Sequence, residues 1–359
     1  MPKVAVVKTT PNTINEDIAR ALDLADYDKY VSNDVATTIK LNLSWSKLYP
    51  ACSTNPYILD GLLKKLIADG FDNRKIQAVE NETVVTNIYA GVKNNNWYPV
   101  IKKHKIKFLP LIKATYVDVD LPRETLVLKK IFGETIAPKE IFGTNIIHLP
   151  TIKTHGHTMM TGAMKDSFGL YLTKNRHLAH LKIHEVLVDL LLLQQTISHS
   201  EFVLTDGTVI GDGAGPRTMI PKVGNVLIAT SDMVAADAVQ TRLMGIEQCL
   251  VHKLQIASEI GLGESNPDKI DIVGDFESWD DLPNFHLNPG KSPVITWNRG
   301  FLRFPGMETF LFRSPLMWLP THLSGLYHDG IWLPLKGRKW VKWFLEETEW
   351  GALWNSYSK

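Results

Sequence analysis

The chain has 359 residues, 44% hydrophobic and 21% charged, a profile of an ordinary globular protein long enough for two domains or one large α/β unit. A net charge of +1 gives no electrostatic case for a nucleic-acid partner or a strongly acidic one. Two cysteines, Cys52 and Cys249, are too few for an iron–sulfur cluster or a disulfide framework and fit a reducing, cytoplasmic compartment, and no apolar run approaches the length of a membrane span.

In chain order, short β-branched runs predict strands at 4–9, 36–43, 75–79, 107–111, 145–152, 202–205, 225–230 and 270–273. The first of these opens a charged, strand-like N-terminus rather than a signal peptide. Periodic segments between them predict helices at 56–69, 86–104, 178–198, 233–244 and 247–260. Strands alternating with helices of this length specify an α/β fold, a mostly parallel sheet covered by helices on both faces. Stronger alternation at 116–132 predicts local antiparallel pairing. Residues 1–275 are expected to form this core, as two subdomains with a cleft between them or as one unit. Beyond it the composition changes: eight of ten Trp lie at 279, 297, 318, 332, 340, 343, 350 and 354. The expectation for 276–359 is an irregular Trp/Pro-rich extension that packs on the core, with an amphipathic helix carrying Trp340, Trp343 and Phe344. A membrane-surface or partner-docking role is the alternative reading of its Trp content.

The densest chemistry lies at 148–199, which holds seven of the chain's 12 His. A strand ending near Ile152 passes to a helix expected to open near Thr158. On such a helix Thr158, Thr161 and Lys165 share a face, with His155 in the loop before it. Free N–H groups there, with Lys153 and Lys165, suit a carboxylate or phosphate, and His155 is available as acid or base. A lysine so placed can also tether a covalent group if its pKa is depressed. Further on, His180 and His184 stand four apart on a predicted helix, a spacing that lets two rings reach one divalent transition metal.

Other strand ends add candidates. Lys40 and Asn42 face the same way on one strand, and a lysine within a buried strand needs a partner or a ligand. Thr54 precedes a helix that starts at Pro56, and Glu80 and Glu82 could supply a carboxylate to the same rim. Asp206 sits at a strand end, and Gly211, Gly213 and Gly215 allow a tight loop whose N–H groups approach a ligand. Pro216 argues against a dinucleotide fingerprint there. Asp232 is a candidate N-cap, with Asp237 turned inward or toward a neighbouring loop.

The segments Ile39-Lys40-Leu41-Asn42, Thr54-Asn55-Pro56, Leu149-Pro150-Thr151-Ile152-Lys153-Thr154-His155 and Thr161 through Gly169 are followed by Asp206-Gly207, Gly213-Ala214-Gly215-Pro216, Thr230-Ser231-Asp232 to Asp237-Ala238, and Gly261-Leu262-Gly263. In this order they resemble the family catalogued as domain of unknown function 362, across most of residues 1–275. Asp166 departs from the family, which usually shows Asn there. Many relatives also carry a ferredoxin-like Cys cluster that this chain lacks, which argues against a built-in electron carrier. A remote similarity connects His155 and Lys165, ten residues apart, to nickel-pincer lactate racemases. That similarity implies His155 as proton-transfer base, Lys165 as tether of the cofactor, and His180 or His184 as metal ligand.

The sequence therefore leads to the expectation of an enzyme, isomerase-like or oxidoreductase, acting on a small carboxylate-type anion. His155, Lys165 and Asp206 are its expected catalytic residues. Lys40, Asn42, Thr54, Lys153, Thr158, Thr161, Gly213 and Gly215 are its expected binding residues. The alternatives are an anion-binding or docking protein without turnover, and a redox enzyme served by a separate ferredoxin. Substrate identity, cofactor and oligomeric state are not legible.

Overall fold

Alternation decides the layering. The computed structural model describes residues 1–83, 85–172, 176–293, 296, 314 and 318–358. Its strands are β1 (Lys3–Lys8), β2 (Thr37–Leu41), β3 (Ile76–Glu80), β4 (Lys107–Pro110), β5 (Tyr116–Asp118), β6 (Ile136–Pro138), β7 (Asn145–Leu149), β8 (Thr151–His155), β9 (Met159–Met160), β10 (Ser200–Ala214), β11 (Thr218–Thr230) and β12 (Asp271–Gly274). The main sheet runs β12-β1-β11-β10-β7-β2-β3-β4, with β8 attached to β10 and β9 to β8. Pairing is parallel from β10 through β7, β2 and β3 to β4, and again between β1 and β12. Only β11 runs against its two neighbours in this path. The fold class expected from the sequence is the one observed.

Successive residues of a strand point to opposite faces. Ala5, Val7, Ile39, Leu41, Ile147 and Leu149 enter one apolar core, covered by α1 (Ile14–Leu24) and α2 (Pro56–Ala68). Val4, Val6, Val203 and Ile228 enter a second, covered by α8 (Ile183–Ile197), α9 (Met233–Met244) and α10 (His252–Glu259). Val79 and Ile146 enter a third, under the other flank of α8. Each such side chain, fully removed from water, contributes about 1.5–3 kcal/mol.

Several elements differ from their sequence expectation, each for a local reason. The strand expected at 145–152 divides at Pro150, which has no N–H for a ladder. The helix expected at 86–104 is two, α3 (Ile88–Asn94) and α4 (Trp97–His104), because Asn96 takes a left-handed conformation with φ 55°. The segment at 178–198 begins as a 3-10 turn, Arg176–Leu181, before α8. Antiparallel pairing in the 116–132 region is confined to β5, whose partner is β6 beyond it, while α5 (Leu128–Phe132) is helical. No loop forms at Gly207–Gly213: β10 and β11 are the long arms of one hairpin.

The C-terminal part returns to the first core. A helix, α11 (Trp318–Gly325), leads through a π-helix (Leu326–Gly337) into α12 (Arg338–Glu347) and α13 (Glu349–Ser356). Trp332, Phe344, Trp350 and Trp354 are buried in that core, whereas Trp340 and Trp343 pack at its edge and Trp297 lies outside the described residues. Trp350 lies 5.1 Å from the Tyr57 ring and its indole N–H donates to Asn225 Oδ1 at 2.7 Å. No described helix is long and apolar enough to cross a membrane.

Candidate functional site

The parallel strands bring polar groups together at their C-terminal ends, where open α/β sheets usually bind ligands. Lys40 and His148 are register partners on β2 and β7, on the face opposite Ile39 and Leu41. The chain after β9 lays α6 (Ala163–Asp166) and α7 (Phe168–Tyr171) over them. Gly169 makes this approach possible, since a Cβ there would stand 3.1 Å from both Lys40 Nζ and Glu80 Oε1.

The inner part of the site is a line of buried hydrogen bonds. Lys40 Nζ donates to Glu80 Oε2 at 2.9 Å, to Asp166 Oδ1 at 3.4 Å, and to the Leu41 carbonyl. Asp166 Oδ2 meets His148 Nδ1 at 2.9 Å, and His148 Nε2 meets Gln194 Oε1 at 3.0 Å. That amide oxygen also accepts from the Tyr171 hydroxyl at 3.2 Å, so His148 donates from Nε2. Burial opposes charge on Lys40, but Asp166 and Glu80 outweigh it and hold the ammonium above its ordinary range. This lysine is a charge already answered.

The outer part is the reverse, a group of bases with few countercharges. Lys153 is fully buried, and its Nζ donates to Asn42 Oδ1 at 2.6 Å and to the Thr151 hydroxyl. Desolvation carries it down to about 8. Lys165 is partly buried with its Nζ 4.9 Å from the Phe168 ring, and no carboxylate lies within 4.0 Å of it among the described residues. Desolvation, then the charges of Lys253, Lys153 and Arg176, bring it to about 7. His155 is buried, and desolvation and the charge of Lys165 depress it well below 6.5. Its Nδ1 accepts the His157 backbone N–H at 3.1 Å, so the neutral ring carries its proton on Nε2. The His157 ring stacks on His180 at 4.5 Å. His180 Nδ1 donates to the His177 carbonyl at 3.0 Å, which leaves its Nε2 bare, and desolvation lowers it to about 4.

The expected residues divide. Lys40, Asn42, Lys153, His155 and Lys165 gather at the strand ends. Thr158 and Thr161 do not share a helix face with Lys165: a β8–β9 hairpin occupies that position and α6 opens only at Ala163. Both hydroxyls serve backbone, Thr158 the Met160 carbonyl at 2.8 Å and Thr161 the Thr151 carbonyl at 3.1 Å. Thr54 likewise closes β2 to β7, accepting from Asn42 N and donating to Leu149 O, both at 2.8 Å. Asp206 accepts from Asn55 Nδ2 at 2.7 Å and from the Thr208 hydroxyl at 2.6 Å, contacts that brace the strand end. Gly213 and Gly215 belong to the hairpin end, where the Thr154 hydroxyl donates to the Gly213 carbonyl at 2.8 Å, and they present no phosphate loop. His184 turns from His180 to His252, 5.3 Å between rings, and its Nδ1 accepts the Lys253 N–H at 3.3 Å. Among the described residues no cluster of three or more His, Cys, Asp or Glu is placed to hold a metal ion.

A family model described as Domain of unknown function (DUF362) matches residues 37–242, more than half of the chain. The chain belongs to this family. No curated protein and no solved structure matches it. The DUF362 region holds Lys40, Glu80, His148, Lys153, His155, Lys165, Asp166 and Asp237, so both parts of the site lie within it. It leaves out Lys253, which sequence reasoning missed. Lys253 is fully buried and donates to Asp237 Oδ2 at 2.6 Å and the Thr161 carbonyl at 3.0 Å. Asp237, turned inward as expected, also accepts the Ala163 N–H at 2.5 Å. The available signal for Lys253 was its position one helical turn from buried Ala257, on the same face. His148 was not singled out, because its partners Asp166 and Gln194 lie 18 and 46 residues away.

Proposed function

We propose that the chain is an enzyme acting on a small carboxylate by proton transfer, with the anion held at Lys153 and Lys165. One observation carries the reading: Lys165 is drawn to near neutrality with no carboxylate beside it among the described residues. A structural ion pair would have raised it, as it raises Lys40. Strongly perturbed groups at strand ends cluster at functional sites. In this proposal the carboxylate supplies the missing countercharge to Lys153, and the His155 Nε2–H donates to it. Lys165, as the free amine, is matched to neutral pH and takes a proton from the carbon next to the carboxylate, becoming an ammonium beside the resulting anion. The expected base role of His155 thus passes to Lys165, because the only lone pair of the neutral His155 ring already accepts the His157 N–H. The cytoplasmic expectation is retained as part of this proposal.

The nickel-pincer similarity asks for a tether and a metal. The Lys165 amine suits a tether, and intact mass of the native protein tests for an adduct on it. The metal half does not fit, since His180 and His184 face different partners. Titration calorimetry with lactate and glycolate, together with NMR of their C2–H in deuterated buffer, tests the main reading. Binding with proton uptake and C2–H exchange, with exchange lost in Lys165→Met, is the expected result. Binding without exchange leaves the anion-binding alternative, and no binding of either acid removes the proposal.

A further inference from the structure

We infer that the C-terminal π-helix is a docking face for an anionic lipid surface. In a helix closed by i to i+5 hydrogen bonds, residues four or five apart stand on one side. Leu326, Ile331 and Leu335 have that spacing and are 62%, 47% and 77% exposed, while Trp332 and His328 on the other side are buried. Leu323, one turn earlier in α11, extends the stripe at 41% exposed. Single exposed leucines are unremarkable, but an apolar stripe on a helix already anchored on its opposite side is not.

Charge identifies the occupant. Between Gly330 and Leu345 the chain carries Lys336, Arg338, Lys339 and Lys342 and no carboxylate. That is a net +4 over this stretch in a chain whose total is +1, before Glu346 and Glu347 follow. Lys336, Arg338, Lys339 and Lys342 are exposed; of these, Lys342 meets Glu346 at 3.7 Å in a surface pair of little strength. Long basic side chains can lay their stems along an apolar face and keep the charge at headgroup level. Leucine and isoleucine inserted below a basic rim match the interior and the phosphate layer of an anionic bilayer, with each cation near the surface adding about 1 kcal/mol.

Flotation of the full chain with vesicles tests this, comparing phosphatidylcholine alone with equal parts phosphatidylcholine and phosphatidylglycerol. The expected result is recovery with the anionic vesicles only, reduced by added salt. It falls about tenfold or more in Leu326→Glu/Leu335→Glu, which loses inserted apolar area, and in Lys339→Glu/Lys342→Glu, which reverses the charge at the headgroups. Both pairs are exposed, and an unchanged urea midpoint confirms that each variant is folded. No flotation with anionic vesicles, or recovery insensitive to both variants, overturns the inference. So does a dimer in light scattering that Leu326→Glu/Leu335→Glu converts to monomer, which would assign the stripe to a second copy.

Discussion

Two lysines a dozen residues apart in sequence shift the same way, opposite to Lys40. Lys153 and Lys165 are held down by burial, and Lys165 also by its cationic neighbours. Unfolded, Lys165 keeps its proton up to about 10.5; folded, it releases it near 7. Between those values the unfolded state binds more protons, so this residue makes stability rise with pH. Lys165→Met should therefore be more stable than the parent at pH 6.5. That advantage should shrink by at most about 1.4 kcal/mol per pH unit above neutrality. Urea titrations of both proteins at pH 6.5, 8 and 9 check it; a constant difference would contradict the shift. Asp166 behaves as a paired charge. Asp166→Asn keeps the side chain's shape but leaves Lys40 with Glu80 as its one charged partner of the two and takes the charge out of the His148 contact. A loss of about 3 kcal/mol is expected from breaking a buried pair on one side, read from the urea midpoint with unchanged slope. Of these residues, Lys40, Lys153, His155 and Lys165 were legible because a cation within an apolar strand or beside it stands out locally. His148 and Lys253 were not, because only tertiary neighbours distinguish a buried ion pair from an ordinary surface residue.

At the scale of elements, regular periodicity was read well and the breaks between elements poorly. The segment 233–244 is helical as expected, capped by Asp232, whose carboxylate accepts the Val234 and Ala235 N–H groups. The glycine run after Asp206 misled in part, since Gly211, Gly213 and Gly215 suggest a loop, while long-range pairing with β11 puts Gly211 and Gly213 in a hairpin arm and leaves Gly215 in its turn. The helix expected at Thr158 failed for a related reason. Thr161 N donates to the Lys153 carbonyl, folding the chain back on β8 before α6 can start. Gly162 is the hinge of that return. It holds φ 103° and ψ −174°, a region almost reserved for glycine, and a Cβ would lie 2.2 Å from Asp237 Oδ1. Gly133 also has positive φ, 81°, but open space around it. Gly133→Ala should cost about 1–2 kcal/mol, the left-handed penalty alone. Gly162→Ala should cost at least about 2 kcal/mol more, from the added overpacking, and should weaken carboxylate binding by displacing α6. Equal losses in paired urea titrations would rule out the close contact as the cause.

For the whole molecule, the Trp-rich segment matters as packing. Phe344, Trp350 and Trp354 close the core that α1 and α2 begin, and the Tyr357 hydroxyl donates to Asp60 Oδ2 at 3.0 Å. Asp60 is buried and also held by Lys64, Lys103 and His104. Trp350→Ala should cost about 3–5 kcal/mol and should lower the midpoint of one common transition followed by tryptophan fluorescence and circular dichroism alike. Two separate transitions would show that the segment melts independently of the sheet. The sequence revealed the change of composition near 275 but not which indoles turn inward, because Trp is buried in the π-helix and in α13 but sits at the core's edge in α12 between them. The sheet order carries one further consequence. The apolar strand β1 is hydrogen-bonded on one side to β11 and on the other to β12, both more than 200 residues downstream. During synthesis it leaves the ribosome long before either partner exists. Ala5 and Val7 can meet α1 early, but Val4 and Val6 must wait for helices that come much later, so this strand's edges and one face are exposed to chaperones and to misassociation for much of translation.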